Sequence, residues 1–153
     1  MAMNNWYECR IKYEKTLESG IQKKVTEPYL VDAMSFTEAE SRIIEEMKPY
    51  IQGEFEVSAV KKERISELFT DPEGDKWYRA KVMFITLDEK SGVEKKSASV
   101  MLVQAKDFQM AVHNLEKGMK GTMSDWEINT ISETPLMDVF GVVARETTKP
   151  ADE

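Results

Sequence analysis

Trp6-Tyr7-Glu8-Cys9-Arg10-Ile11-Lys12-Tyr13 returns about 71 residues later as Trp77-Tyr78-Arg79-Ala80-Lys81-Val82-Met83-Phe84. Both stretches alternate. Tyr7, Cys9, Ile11 and Tyr13 fall on one face of an extended chain, and so do Tyr78, Ala80, Val82 and Phe84. The likeness continues in the same order. Ser19-Gly20 and Lys23-Lys24 return as Ser91-Gly92 and Lys95-Lys96, and Leu30-Val31 and Ala33 as Leu102-Val103 and Ala105. Phe36, Ala39 and Met47-Lys48 return as Phe108, Ala111 and Met119-Lys120. Phe55-Glu56-Val57 matches Trp126-Glu127-Ile128, and Leu68-Phe69 matches Val139-Phe140. Roughly a quarter of the aligned positions are identical, and the collinear order marks an internal duplication.

Each copy reads as β-β-α-β. The Ser-Gly pairs supply hairpin turn chemistry, and return strands are predicted at about 24–32 and 96–104. Pro28 has no N–H to give to a ladder, so the first of these is expected at a sheet edge. Ser35 and Glu38 have the form of a capping box, and Asp107 takes the capping place in the copy. Ala39, Ile43, Met47 and either Tyr50 or Ile51, then Ala111, Val112, Leu115 and Met119, form the apolar stripes of two helices. Pro49 and Gly118 mark the helix ends. Further strands are predicted at about 54–61 and 125–132, each followed by a short apolar segment. Met83, Ile85 and Leu87 stand where the first copy has Lys12, Glu14 and Thr16, which places the second copy's first strand centrally or at an interface.

The organisation is therefore a first repeat at 1–70, a second at 71–141 and a polar C-terminal tail at 142–153. Three strands and one helix leave little core, so the repeats are expected to form one compact domain. The expected fold class is α+β: two tandem β-β-α-β repeats with pseudo-twofold symmetry, two-layer antiparallel sheets plus helices.

Composition bounds the rest. The chain has 153 residues, 41% apolar and 32% charged, a globular mixture. No apolar run reaches the roughly 18 residues of a membrane span. One Cys excludes an internal disulfide and a Cys-rich zinc site. One His excludes most His-based metal constellations. Lys plus Arg is 21 against 28 Asp plus Glu, a net charge of −7, which lowers the expectation of a polyanionic partner. Met1-Ala2-Met3-Asn4-Asn5 shows no signal-peptide pattern, and a cytoplasmic location is expected.

The stretches W-Y-E-C-R-I-K-Y at 6–13, V-T-E-P-Y-L-V-D-A at 25–33, S-F-T-E-A-E-S-R at 35–42, F-I-T-L-D-E-K-S-G at 84–92 and M-L-V-Q-A at 101–105 resemble an uncharacterised family, a domain of unknown function from Bacteroidetes genomes. The resemblance covers about residues 6–140. It implies a bacterial cytoplasmic protein, or one from a phage or mobile element of such bacteria. It brings no activity, cofactor or catalytic residue with it.

The chain contains no G-x-S-x-G elbow, no Walker loop and no G-x-G-x-x-G. His113, whose counterpart is Ser41, reads as a solvated helix residue, and Cys9 as a small buried hydrophobe. Glu38, Glu40, Glu45 and Glu46 read as solvating helix residues, with Glu38 expected to pair with Arg42. Asp71, Glu73 and Asp75 read as turn composition, lacking the spacing of a calcium loop. Met110, Met119, Met123 and Met137 read either as an adaptable surface or as core filling. No catalytic, cofactor-binding or metal residues are assigned, and no cofactor is expected. The candidate binding residues are Trp6, Trp77, Lys23, Lys24, Lys95 and Lys96. The Trp pair either stacks on bases or covers the rims of the cores. The Lys pairs either track a phosphate backbone or guard strand edges. The leading expectation is a non-enzymatic binding or adaptor module with a protein partner or self-association and no membrane. The alternative is single-stranded nucleic-acid binding through the Trp and Lys pairs.

Overall fold

A computed structural model describes residues 5–141. The alternation around Trp6 becomes β1 (Asn5–Thr16), followed by β2 (Gln22–Ala33), α1 (Phe36–Met47) and β3 (Phe55–Glu63). A short β4 (Glu67–Phe69) leads into the copy: β5 (Lys76–Leu87), β6 (Glu94–Ala105), α2 (Phe108–Gly118) and β7 (Asp125–Glu133), then a short β8 (Val139–Phe140). The α+β class and the tandem order of elements follow the sequence reading. The predicted tail at 142–153 lies outside the described residues.

The duplication extends to irregular details. The first strand of each copy is central, antiparallel to its neighbours on both sides. Its pairing with the last long strand slips at Arg10/Ile11 and again at Lys81/Val82, leaving Ser58 and Asn129 as matching bulge residues. Gly20 and Gly92 hold the hairpin turns at φ +88° and +71°, values that suit a residue without a Cβ. Ser35 Oγ accepts from Glu38 N at 3.1 Å, and Asp107 Oδ1 accepts from Met110 N at 2.8 Å. The Glu38 carboxylate reaches back to accept from Met34 N.

Two compact units result. In the first, the sheet order is β3-β1-β2-β8. Tyr7, Cys9 and Ile11 of β1 and Tyr29, Val31 and Ala33 of β2 pack against Ala39, Ile43 and Met47 of α1. In the second, the order is β4-β6-β5-β7. Tyr78, Ala80, Val82, Met101 and Val103 pack against Ala111 and Leu115 of α2. The opposite sheet faces also hold buried residues: Trp6, Leu30 and Asp32 in the first unit, Trp77 and Leu102 in the second.

The unit boundaries fall at 64/65 and 134/135, one short strand earlier than the repeat boundaries. β4 follows the first repeat but lies parallel to β6 in the second unit, while β8 follows the second repeat but lies parallel to β2 in the first. The reason is reach. Returning to a parallel place in the same sheet takes a crossover of roughly a dozen residues, and the connectors 64–66 and 134–138 are much shorter. The exchange also corrects the expectation for Pro28. Its strand is covered by β8 at Leu30 and Val31 rather than left as a bare edge. On that side Pro28 offers only its carbonyl, which accepts from Met137 N at 2.9 Å.

Candidate functional site

Each hairpin places its Trp and its Lys pair at opposite ends. Trp6 faces Asp32 across the β1–β2 ladder, whereas Lys23 and Lys24 face Lys15 and Glu14 near the turn. In the second unit Trp77 faces Gln104, and Lys95 and Lys96 face Thr86 and Ile85. At about 3.3 Å per residue the separation along the strand is on the order of 30 Å. Both rings are also buried, Trp6 at 8% exposure and Trp77 at 4%. A Cβ on Gly141 would come 2.9 Å from Trp6 Cη2, so the ring is closely covered by backbone. Trp6 and Trp77 therefore serve the interior and present no face on which a base can stack.

The four lysines are exposed. Lys96 Nζ meets Glu127 Oε2 at 3.3 Å. The corresponding Lys24 and Glu56 both line an open groove of about 580 Å3 in the first unit, with Lys12, Tyr13 and Glu14. Beside each Lys pair the hairpin tip carries two exposed aliphatic residues, Leu17 and Ile21 in one, Leu87 and Val93 in the other. Each tip is closed by backbone hydrogen bonds, Leu17 N to Ile21 O at 2.8 Å and Asp88 N to Val93 O at 2.9 Å. Ile21 is 63% exposed and Val93 56%. The sequence reading did not single out these tips. The available signal was an aliphatic residue directly after the turn glycine in both copies.

The other candidates fall into structural roles. Cys9 is fully buried, and burial pushes its thiol up to about 12, with Glu8 and Glu40 adding to the shift, so it stays protonated and unreactive near neutrality. His113 is exposed on α2, at the rim of a cavity of about 590 Å3 with Asp71, Glu73 and Lys117. Asp71 Oδ1 accepts from Glu73 N, closing a turn, and its Oδ2 accepts from Asn114 Nδ2 at 2.9 Å. The expected Glu38–Arg42 pair is replaced: Glu38 is held in the helix cap, and Arg42 Nη1 lies 2.6 Å from Asp32 Oδ1. The four methionines divide, with Met119 buried and Met110 half-buried, but Met123 and Met137 exposed. Among the described residues no group of three or more His, Cys, Asp or Glu is placed to hold a metal ion. Among the same residues no helix is long and apolar enough to cross a membrane.

No curated protein matches the chain. Residues 5–142, which span the β-β-α-β copies and both exchanged strands, match a known family, and by that match the chain belongs to the DUF4494 family, a domain of unknown function.

Proposed function

We propose that this protein is a non-enzymatic binding or adaptor module that engages a protein partner through its two hairpin tips. The observation that carries the reading is the exposed aliphatic pair on each tip, Leu17 with Ile21 and Leu87 with Val93. Single exposed aliphatics are ordinary. Ile21 and Val93, directly after the turn glycines, correspond in two copies that have diverged at most of their positions, and each is joined at its tip by a leucine without a leucine counterpart, Leu17 matching Asp88 and Leu87 matching Thr16. Core packing explains retention at Ala39 and Ala111, which are buried, but it does not act on an exposed tip. Each aliphatic pair stands among mixed charges, Glu14, Glu18, Lys15 and Lys23 in one tip and Glu89, Glu94, Lys90 and Lys95 in the other, which suits a protein surface with a small apolar patch and a polar rim. The proposed setting is the bacterial cytoplasm, where Cys9 remains a free, buried thiol.

Leu17→Ser with Ile21→Ser removes one tip, and Leu87→Ser with Val93→Ser removes the other. Partners are captured on the full chain from extract of its own cells and quantified by mass spectrometry. Each pair of substitutions is expected to lower partner recovery several-fold, and all four to abolish it. Folding stability should change by no more than about 0.5 kcal/mol, as for surface positions generally. Undiminished capture of the same partners by the fourfold variant would defeat the reading.

Single-stranded nucleic acid is the alternative partner. With Trp6 and Trp77 buried, it would be held by Lys23, Lys24, Lys95 and Lys96 alone, against a net charge of −7. Titration with single-stranded DNA and RNA, followed by Trp fluorescence and anisotropy, is expected to show no salt-sensitive binding. Salt-sensitive binding that Lys95→Ala weakens would put nucleic acid in the protein partner's place.

A further inference from the structure

The outer strands β3 and β7 differ in a way that their shared backbone does not impose. β3 closes with Val60-Lys61-Lys62-Glu63, while at the matching positions β7 has Ile131-Ser132-Glu133 followed by Thr134. Lysine on an edge strand discourages another strand from pairing there. The first unit has two such lysines, both exposed, and the second unit has neither. Thr130, Ser132 and Glu133 are exposed, and no proline interrupts β7. Thr134 N donates to Trp77 O at 2.8 Å. Alternation along the antiparallel ladder therefore turns the N–H and C=O of Ile131 and Glu133 outward. Among the described residues no strand lies on that side.

The charge of the edge selects its occupant. Asp125 and Glu127 precede the uncharged run, and Glu133 ends it. A second copy laid antiparallel on this edge would set acid opposite acid, which is unfavourable across strands. The pair between Glu127 and Lys96 is half-exposed and weak, leaving Glu127 able to meet another cation. We propose that the outer edge of β7 binds an extended segment of a partner protein that carries basic residues, added as a further strand of the second unit's sheet. Main-chain hydrogen bonds at Ile131 and Glu133 supply the attachment, and lysine or arginine opposite Glu127 and Glu133 supplies the selection. This surface is separate from the hairpin tips and does not depend on their role.

The test uses the full chain and a fluorophore-labelled synthetic peptide of about nine residues, valine and threonine with two lysines five positions apart, so that one lysine falls on the face of Glu127 and the other on the opposite face with Glu133. The expected result is micromolar binding that weakens as salt is raised, with amide shift changes centred on residues 130–133. Ser132→Lys with Glu133→Lys restores the first repeat's pattern and is expected to weaken binding about tenfold or more at an unchanged thermal midpoint. The matching peptide with glutamate for lysine should then bind that variant better than it binds the parent. Thr130→Lys provides a second, independent block of the edge. The Leu17, Ile21, Leu87 and Val93 substitutions should leave peptide affinity unchanged, so failure here and failure at the tips are distinguishable. Equal peptide binding by the edge variants, or shift changes located elsewhere, would overturn the proposal. So would assembly of the protein into chains that Lys61→Ala with Lys62→Ala abolishes, because the occupant would then be a second copy.

Discussion

The first unit is expected to lose stability steeply as the pH rises from about 9 to about 12. Cys9 is the main reason. Burial moves its thiol from 9.0 to about 12, and the Glu8 and Glu40 carboxylates add to the shift. Tyr13 is pushed from 10.0 up to about 12 by burial and by its hydrogen bond to Glu27, 2.9 Å away. Tyr29 is raised by burial and by the same Glu27. Each of these acids stays protonated in the folded protein at a pH where the unfolded chain has already released its proton. Their contribution is complete below the unfolded value near 9 and is lost as the pH climbs through the folded one. At about 1.4 kcal/mol for each tenfold change in affinity for the proton, Cys9 alone accounts for about 4 kcal/mol over this window. That is a large share of the 5–15 kcal/mol that ordinarily holds a domain together. Urea unfolding at a series of pH values measures it. Cys9→Ala should move the onset of the loss to higher pH, at a modest cost near neutrality. Stability that stays level to about pH 11 would defeat the account.

Arg42→Ala is expected to cost about 3 kcal/mol, while Asn114→Ala at the corresponding place costs about 1 kcal/mol. Both side chains tie a helix to the end of the strand before it. Arg42 Nη1 donates to Asp32 O at 2.9 Å, and Asn114 Nδ2 donates to Gln104 O at 3.0 Å. The difference lies in the charge. Asp32 is 1% exposed and holds the same guanidinium at 2.6 Å. Removing it withdraws the cation from a buried carboxylate, which cannot recover the loss from water. In the second unit Gln104 replaces Asp32, and the network is built from amides: Gln104 Nε2 donates to Gly74 O, and its Oε1 accepts from Asp71 N. Losing Asn114 breaks the bonds of one neutral donor to Gln104 O and to Asp71 Oδ2, but Asp71 is only half-buried and can turn to water, and the Gln104 bonds stay in place. Arg42 is partly exposed, which puts the expected cost at the lower end of the range for broken buried pairs. Equal destabilisation by the two substitutions in denaturant titrations would show that the charge is not what matters.

The period-two pattern of β1 and β5, the glycine turns, the helix caps and the apolar stripes of α1 and α2 were all legible, down to the helix ends near Lys48 and Gly118. Each depends on residues within a few positions of one another. The binding surface was less legible. Trp6 and Trp77 stand on the strand face opposite Tyr7 and Tyr78. Alternation assigns them that face without saying whether it is wet. Arg42 was assigned to Glu38 because helix spacing allows it, but the nearby strand end offers a buried carboxylate and a carbonyl together. The tips at Leu17, Ile21, Leu87 and Val93 were missed because aliphatic residues beside a turn read as strand ends.

By itself the sequence determined the duplication, the order of elements, the α+β class and the face of each strand that meets its helix, since local periodicity and turn chemistry settle these within a few residues. Tertiary structure alone decided that β4 and β8 change units, that both tryptophans are covered, and that one copy joins helix to strand with a buried charge while the other uses amides. Those outcomes depend on contacts between residues far apart in the chain, and on connectors too short to bring a strand back to its own sheet, neither of which a local pattern records.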